Sequence, residues 1–204
     1  MSAKRKAAVV AGGAGFIGAH LCRRLIAEGM RVVCLDSFVT SGPPALRGLR
    51  RDPRFDFVRF DINRPFKLPG KFGYFFHLAC PASPKAYMRL PLLTLRTGSL
   101  GTMNCMEAAS SAGARFILAS TSEVYGDPLR HPQREDYFGN VDPVGPRSCY
   151  DEAKRFSEAA VAAYRGAGRI DGCIARIFNT YGEGMLASDG RVVSNMICAA
   201  VSGR

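Results

Sequence analysis

The stretch Ala7-Ala-Val-Val-Ala-Gly12-Gly-Ala-Gly15-Phe-Ile-Gly18-Ala-His-Leu21 decides the fold. It opens on a short apolar run, passes through three glycines spaced three apart, and continues with Ile17, Leu21 and Leu25 on one helical face. That is the order strand, tight turn, helix. In such a turn the first glycine permits the bend, the second lets backbone approach a pyrophosphate, and the third lets helix and strand pack closely. An anion then rests at the helix N-terminus, where unpaired N–H groups and the helix dipole favour it. Turns use glycine anyway, so the spacing alone says little. Its place between a strand and a helix points to a dinucleotide site. Gly12, Gly15, Phe16, Ile17 and Gly18 are therefore candidate cofactor residues.

Working outward, 31–35 reads as a second buried strand closed by Asp36, 18 residues after Gly18. A carboxylate there can accept hydrogen bonds from the adenosine ribose and would repel a 2′-phosphate, which favours NAD over NADP. The alternative is that Asp36 merely starts a turn with Ser37. Further strand-like runs lie at 55–60, 74–79, 115–120 and within 169–178. Helical patterns cover 16–28, 91–112, 150–165 and 191–201, with Gly29 as a stop for the first and Pro91 as a first helical residue. Strands alternating with helices imply an α/β fold, a Rossmann-type doubly wound parallel sheet. The expected organisation is one NAD-binding domain over 7–204 behind a basic tail at 1–6.

Composition excludes several function classes. The formal charge of +11 could attract anions, yet Arg and Lys are spread along the chain, locally dense only at 4–6 and 47–54. A solvated surface, and no nucleic-acid partner, is the expectation. No apolar run approaches the roughly 20 residues of a membrane helix, and no separate apolar segment resembles a signal peptide. A soluble cytoplasmic protein without a membrane partner is expected. The seven cysteines form no C-x-x-C and the three histidines are scattered, so we expect free thiols and no metal.

Two segments carry candidate chemistry. Tyr150-Asp-Glu-Ala-Lys154 puts a phenol and an ammonium four apart on one helix face. A tyrosine is a poor base at neutral pH. A nearby ammonium and the positive nicotinamide ring favour the phenolate, so the pair is expected to lower the Tyr150 pKa. Tyr-x-x-x-Lys is common by itself; downstream of a dinucleotide loop it gains meaning. Ser120-Thr-Ser-Glu-Val-Tyr125 directly follows the fifth strand, where a doubly wound sheet carries its site. Thr121, Ser122 and Glu123 are candidates beside Tyr150, with Thr121 able to bond a reacting sugar hydroxyl and Glu123 able to handle a proton. A Ser/Thr helix cap is the bland alternative.

At these residues the chain resembles the extended short-chain dehydrogenase/reductase family and, within it, the UDP-glucuronate decarboxylases. The likeness rests on GGAGFIGAHL, HLACPASP at 77–84, GARFILASTSEVYGDPLRHPQ at 113–133, VGPRSCYDEAKR at 144–155, ARIFNTYG at 175–182 and DGRVVSN at 189–195. The resemblance implies NAD-dependent oxidation at carbon 4 of UDP-glucuronate, with Tyr150 taking the hydroxyl proton. Loss of carbon dioxide from the β-keto acid and return of the hydride would then yield UDP-xylose. It further implies that Tyr87, Arg147, Asn179 and Arg191 touch substrate, that Ala79 passes near the NAD phosphates, and that Asp61 and Ile62 lie near the adenine. A homodimer through the helices near 91–112 and 148–165 is implied too. Sugar 4,6-dehydratases and 4-epimerases are the neighbouring readings, and a catalytically inactive NAD-binding module is a third. The chain departs from the family pattern at several points. Gly98 stands where an asparagine is usual, and Glu183-Gly184 stands for Pro-Arg. Ala11 and Ser37 stand for a threonine and an asparagine, and Phe138 for a tryptophan. Family members also continue past this length, so the expectation is that the carboxyl half of the substrate site is missing and that turnover is poor.

Overall fold

The structure, a computed structural model, describes residues 7–203. The expected basic tail at 1–6 lies outside the described residues. Six strands form one parallel sheet: β1 (Ala7–Ala11), β2 (Arg31–Asp36), β3 (Phe55–Arg59), β4 (Tyr74–His77), β5 (Arg115–Thr121) and β6 (Gly172–Ile177), in the order β3-β2-β1-β4-β5-β6. The expected doubly wound Rossmann arrangement is thus the one observed. Strand order reverses between β1 and β4, which opens a crevice at the carboxyl ends of those two strands.

Strand β1 buries both faces, so its apolar run is nearly continuous rather than alternating, whereas the edge strand β3 exposes Asp56, Val58 and Arg59. Ala8 and Val10 of β1 pack on one side with Cys22, Leu25 and Ile26 of helix α1 (Phe16–Ala27). Val9 and Ala11 pack on the other side with Phe75, Phe116, Met106 of helix α4 (Thr102–Ala112) and Val161 of helix α5 (Ser148–Gly166). The two faces of one five-residue strand therefore belong to two separate cores. Gly29 ends α1 with φ of +79°, the left-handed conformation that glycine takes without a steric cost.

The helix expected over 91–112 is not continuous. It is helix α3 (Pro91–Arg96), a π turn (Thr97–Gly101) and then α4. Glycines at 98 and 101 weaken the regular helix here. The wider turn also admits α5: a Cβ on Gly98 would stand 2.5 Å from the Ala153 Cβ. A short helix α2 (Pro84–Arg89), whose N-cap Ser83 side chain accepts from the Ala86 N–H, precedes α3. Helix α6 (Val192–Val201) closes the described chain. Among the described residues no helix is long and apolar enough to cross a membrane.

Candidate active site

The glycine turn has the geometry its sequence foretold. Gly12 takes φ of +80°, and its N–H donates to the Leu35 carbonyl of β2 (2.8 Å). A side chain on Gly12 would strike the Ala79 backbone at 2.6 Å, and one on Gly18 would strike the Gly12 carbonyl at 2.2 Å. So Gly12 seals β1 against the loop after β4, while Gly18 lets α1 lie on the turn. The N-cap residue Gly15 brings no capping side chain, and the first turn of α1 contains no acidic residue. Its N–H groups and its dipole are left for an anion.

Beside this turn an open cleft lies at the carboxyl ends of β1 to β4. Gly12, Gly15, Asp36, Asp61, Ile62 and Ala79, six candidates from four segments of the sequence, all line it. Leu35, Thr40, Ser41, Asn63, Pro81 and Thr97 line it too and were not singled out from sequence. A polar base, a phosphate-ready turn and an apolar flank suit a dinucleotide. Asp36 performs the turn role weighed for it and also braces the glycine turn. Its Oδ2 accepts from the Ala14 N–H (3.0 Å), which ties it to the glycine turn. Its Oδ1 accepts from the Phe38 N–H (2.9 Å) and the Ser41 hydroxyl (2.7 Å), which holds Phe38 at φ of +61°. Two carboxylate oxygens offer about four lone-pair positions, so Oδ2 retains one for a ribose hydroxyl.

The second cluster sits one and two strands along, beyond the switch point. Thr121 ends β5, is 8% exposed, and its Oγ1 accepts from the Glu123 N–H (3.3 Å) at the start of a 3₁₀ turn, Ser122–Tyr125. Tyr150 is buried on the first turn of α5, its ring stacked on Tyr87 of α2 at 4.8 Å and 6°. Burial pushes the Tyr150 phenol well above its ordinary value, and Cys80 adds to this; Thr121 and Arg191 pull it back. The protein groups alone thus do not bring the lowering expected from Lys154 together with a nicotinamide ring. Lys154 Nζ donates to the Ala119 carbonyl of β5 (2.8 Å) and lies 5.9 Å from the Tyr150 ring centre, over the ring face. Four residues of helix bring the two onto one face, but the ammonium serves the strand, and desolvation dominates the phenol.

Arg147 begins α5 and forms an ion pair with Glu123. Arg191 begins α6, pairs with Asp189 (3.1 Å) and reaches the carbonyls of Thr180 (3.3 Å) and Ala82 (3.4 Å). Thr121, Glu123, Tyr150, Lys154, Tyr87, Arg147 and Arg191 thus converge on one corner of the sheet edge. Ser122 is half-buried in the same turn. Asn179 lies exposed after β6, and the Phe16 ring faces position 182, where a Cβ would stand 3.5 Å from it, rather than the cleft. Ile17 occupies the first turn of α1, half-buried. Two titratable residues near this corner also escaped the sequence reading. Cys80 borders both the cleft and the phenol. His77, 2% exposed, bonds the Thr102 hydroxyl (2.9 Å), and burial together with Lys154 lowers its pKa to about 3. Neither carries a spacing signal in the sequence.

Residues 8–204 match the model of the NAD dependent epimerase/dehydratase family. The chain is 50% identical over 199 residues to UDP-glucuronic acid decarboxylase 1 of Arabidopsis thaliana, covering 97% of this chain and 45% of that protein. It is 45% identical to UDP-glucuronic acid decarboxylase 1 of Danio rerio, over 98% of this chain and 47% of the relative. The chain spans about half the length of the curated relatives it matches. Among solved structures it is similar to a UDP-glucuronic acid 4-epimerase from Bacillus cereus in complex with NAD (29% identity, TM-score 0.75, 89% of this chain and 59% of that one). It is similar also to a UDP-N-acetylglucosamine 4-epimerase from Methanobrevibacter ruminantium M1 in complex with UDP-N-acetylmuramic acid (25% identity, TM-score 0.86, 98% and 64%).

Proposed function

The chain belongs to the NAD-dependent epimerase/dehydratase family, and from that premise we propose that it is the NAD-binding and proton-handling portion of a UDP-glucuronate decarboxylase that makes UDP-xylose. The observation that carries the reading is the convergence of Thr121, Tyr150 and the Glu123–Arg147 pair at the end of β5. The relatives named above supply the substrate class. The block Ser120-Thr-Ser-Glu123 is among those that carry the resemblance to the decarboxylases.

NAD, when bound, supplies a reversible hydride acceptor for carbon 4. The glycine turn and the N-terminus of α1 hold its pyrophosphate, and Asp36 accepts from its adenosine ribose. Asp61, Ile62 and Ala79 border the adenine and phosphates. Thr121 orients the sugar's 4-hydroxyl, and the Tyr150 phenolic oxygen accepts its proton. The raised Tyr150 value in the absence of ligand means that the positive nicotinamide must supply the stabilisation the phenolate lacks. Lys154 keeps α5 docked on β5 through Ala119. Once carbon 4 is a ketone, the carboxylate on carbon 5 is a β-keto acid. Its bond electrons pass toward that carbonyl as carbon dioxide leaves, and Glu123 handles the proton that returns to carbon 5. Tyr87, Arg147, Asn179 and Arg191 orient the sugar nucleotide.

A homodimer is part of the proposal. Leu92 is 80% exposed, Leu95 40% and Phe156 43%, on the neighbouring helices α3 and α5. Met106, by contrast, is fully buried in the core and serves the sheet. The test of function is to incubate the chain with NAD⁺ and UDP-glucuronate and analyse the products. UDP-xylose, formed slowly, is expected, with Tyr150→Phe abolishing it while NAD⁺ still binds. A 4-epimer or a 4-keto-6-deoxy sugar would assign one of the sister reactions instead. NAD⁺ binding with no product at all would favour the inactive module.

A further inference from the structure

Arg147 stands between two carboxylates that are unequally satisfied. Its guanidinium pairs with Glu123 in the turn after β5. Its other neighbour is Asp151, one turn further along α5, with Nη2 3.9 Å from Oδ1. That separation is too long for a hydrogen bond. The Asp151 side chain is 10% exposed, and its Oδ1 is buried with no hydrogen-bond partner. A buried carboxylate oxygen without a donor is an unfavourable arrangement that needs a reason. Burial raises the Asp151 carboxyl, Arg147 draws it back, and Glu152 adds to the rise. On the facing helix α2, burial raises the Tyr87 phenol, Arg147 lowers it and Asp151 adds to the rise.

One arrangement is seen, and a second would offer similar bonding. In the state observed, Arg147 serves Glu123 and leaves the Asp151 oxygen unbonded. A movement of about 1 Å by the guanidinium would reverse this. Breaking a partly buried ion pair outright is strongly unfavourable because it strands a charge. Passing the guanidinium from one carboxylate to another keeps one charge-assisted pair throughout. The released group is Glu123, the residue beside Thr121 and Tyr150. While Arg147 holds it, the Glu123 carboxylate is engaged in that pair and is not free to turn to a substrate.

We propose that Arg147 exchanges between Glu123 and Asp151, and that Asp151 is the positioning residue that receives it when Glu123 turns to the substrate. The proposal rests on the reading of Glu123 as the group that handles the proton. Asp151 then acts through Arg147 and touches no substrate itself.

The test needs neither ligand nor turnover. In Glu123→Ala, Arg147 loses its present partner. A crystal structure should place its Nη within about 3 Å of an Asp151 oxygen. In the same variant, carboxyl-carbon NMR should show Asp151 titrating at lower pH than in the wild type. Glu123→Gln, which keeps the side-chain volume, should move both readings in the same direction if the alanine variant folds poorly. Adding Asp151→Asn to either variant should release Arg147 to solvent, whereas adding Asp151→Glu should hold it. An Arg147 that turns to solvent in Glu123→Ala, with Asp151 titrating as in the wild type, overturns the exchange. So does capture that survives Asp151→Asn. Failure of the substrate reading would show separately, as no binding of UDP-glucuronate by a chain in which the arginine still moves.

Discussion

Adding one methyl group at Gly98 should destabilise this protein, even though alanine is the better helix former. Propensity alone favours the change by about 1 kcal/mol. The contact with α5 opposes it. A Cβ at this position would lie 2.5 Å from the Ala153 Cβ, 2.8 Å from its carbonyl oxygen and 2.9 Å from its Cα. Two of those three atoms are backbone, so no rotamer change relieves the clash and α5 itself must shift. The shift also pulls on Ser157, whose hydroxyl donates to the Gly98 carbonyl and the Ala153 carbonyl at 2.8 Å each. Overpacking costs about 1–3 kcal/mol, and a weakened hydrogen bond about 1 kcal/mol more. The balance is a loss of roughly 2 kcal/mol, which lowers Tm by about 4–8 °C in a domain of this size. Scanning calorimetry of Gly98→Ala against the wild type reads this directly. In a double-mutant cycle with Ala153→Gly, the pair should lose less than the sum of the singles. A Tm equal to or above that of the wild type would refute the reasoning, because the close approach of the two helices would then be no constraint. The usual family asparagine should behave like alanine here, with a larger loss.

Three further outcomes follow from the same geometry. Calorimetric titration should show tighter binding of NAD⁺ than of NADP⁺, and Asp36→Ala should cost NAD⁺ at least about tenfold, near 1.4 kcal/mol; equal affinity for the two dinucleotides would count against the role given to Asp36. His77 has its pKa lowered to about 3 from 6.5. The unfolded chain therefore takes up a proton near pH 6.5 that the folded chain refuses until about 3, so stability is lost as pH falls through that window. His77→Gln should flatten the fall in Tm between pH 6.5 and 4, and an unchanged slope would show that other groups cause it. Sedimentation should give a dimer that Leu92→Glu with Leu95→Glu converts to a monomer without loss of NAD⁺ affinity; a concentration-independent monomer mass for the wild type would contradict the proposed interface.

Much of this protein is local in origin and was therefore legible. β1, the glycine turn and α1 follow one another within 21 residues, from Ala7 to Ala27. Apolar runs and Gly or Pro boundaries set the other strands, because a buried parallel strand has to be apolar throughout. Tyr150 and Lys154 share a helix face by period alone. Contacts between distant segments left no such trace. No spacing reveals that Asp36 would brace both the glycine turn and the Phe38 turn, or that Lys154 would bond β5 while burial governs the Tyr150 phenol. Gly98 reads as a flaw in a helix, and its use emerges only when α5 lies against it. Leu92 and Met106 read alike as apolar helix residues, yet one is 80% exposed and the other fully buried. Sequence by itself determined the strands and most of the helices, since these depend on neighbours along the chain, but not the π turn that divides the helix expected over 91–112. Tertiary structure alone decided which charge meets which, from Glu123 with Arg147 to the unbonded oxygen of Asp151. Burial and electrostatics act through space, between residues the chain keeps apart.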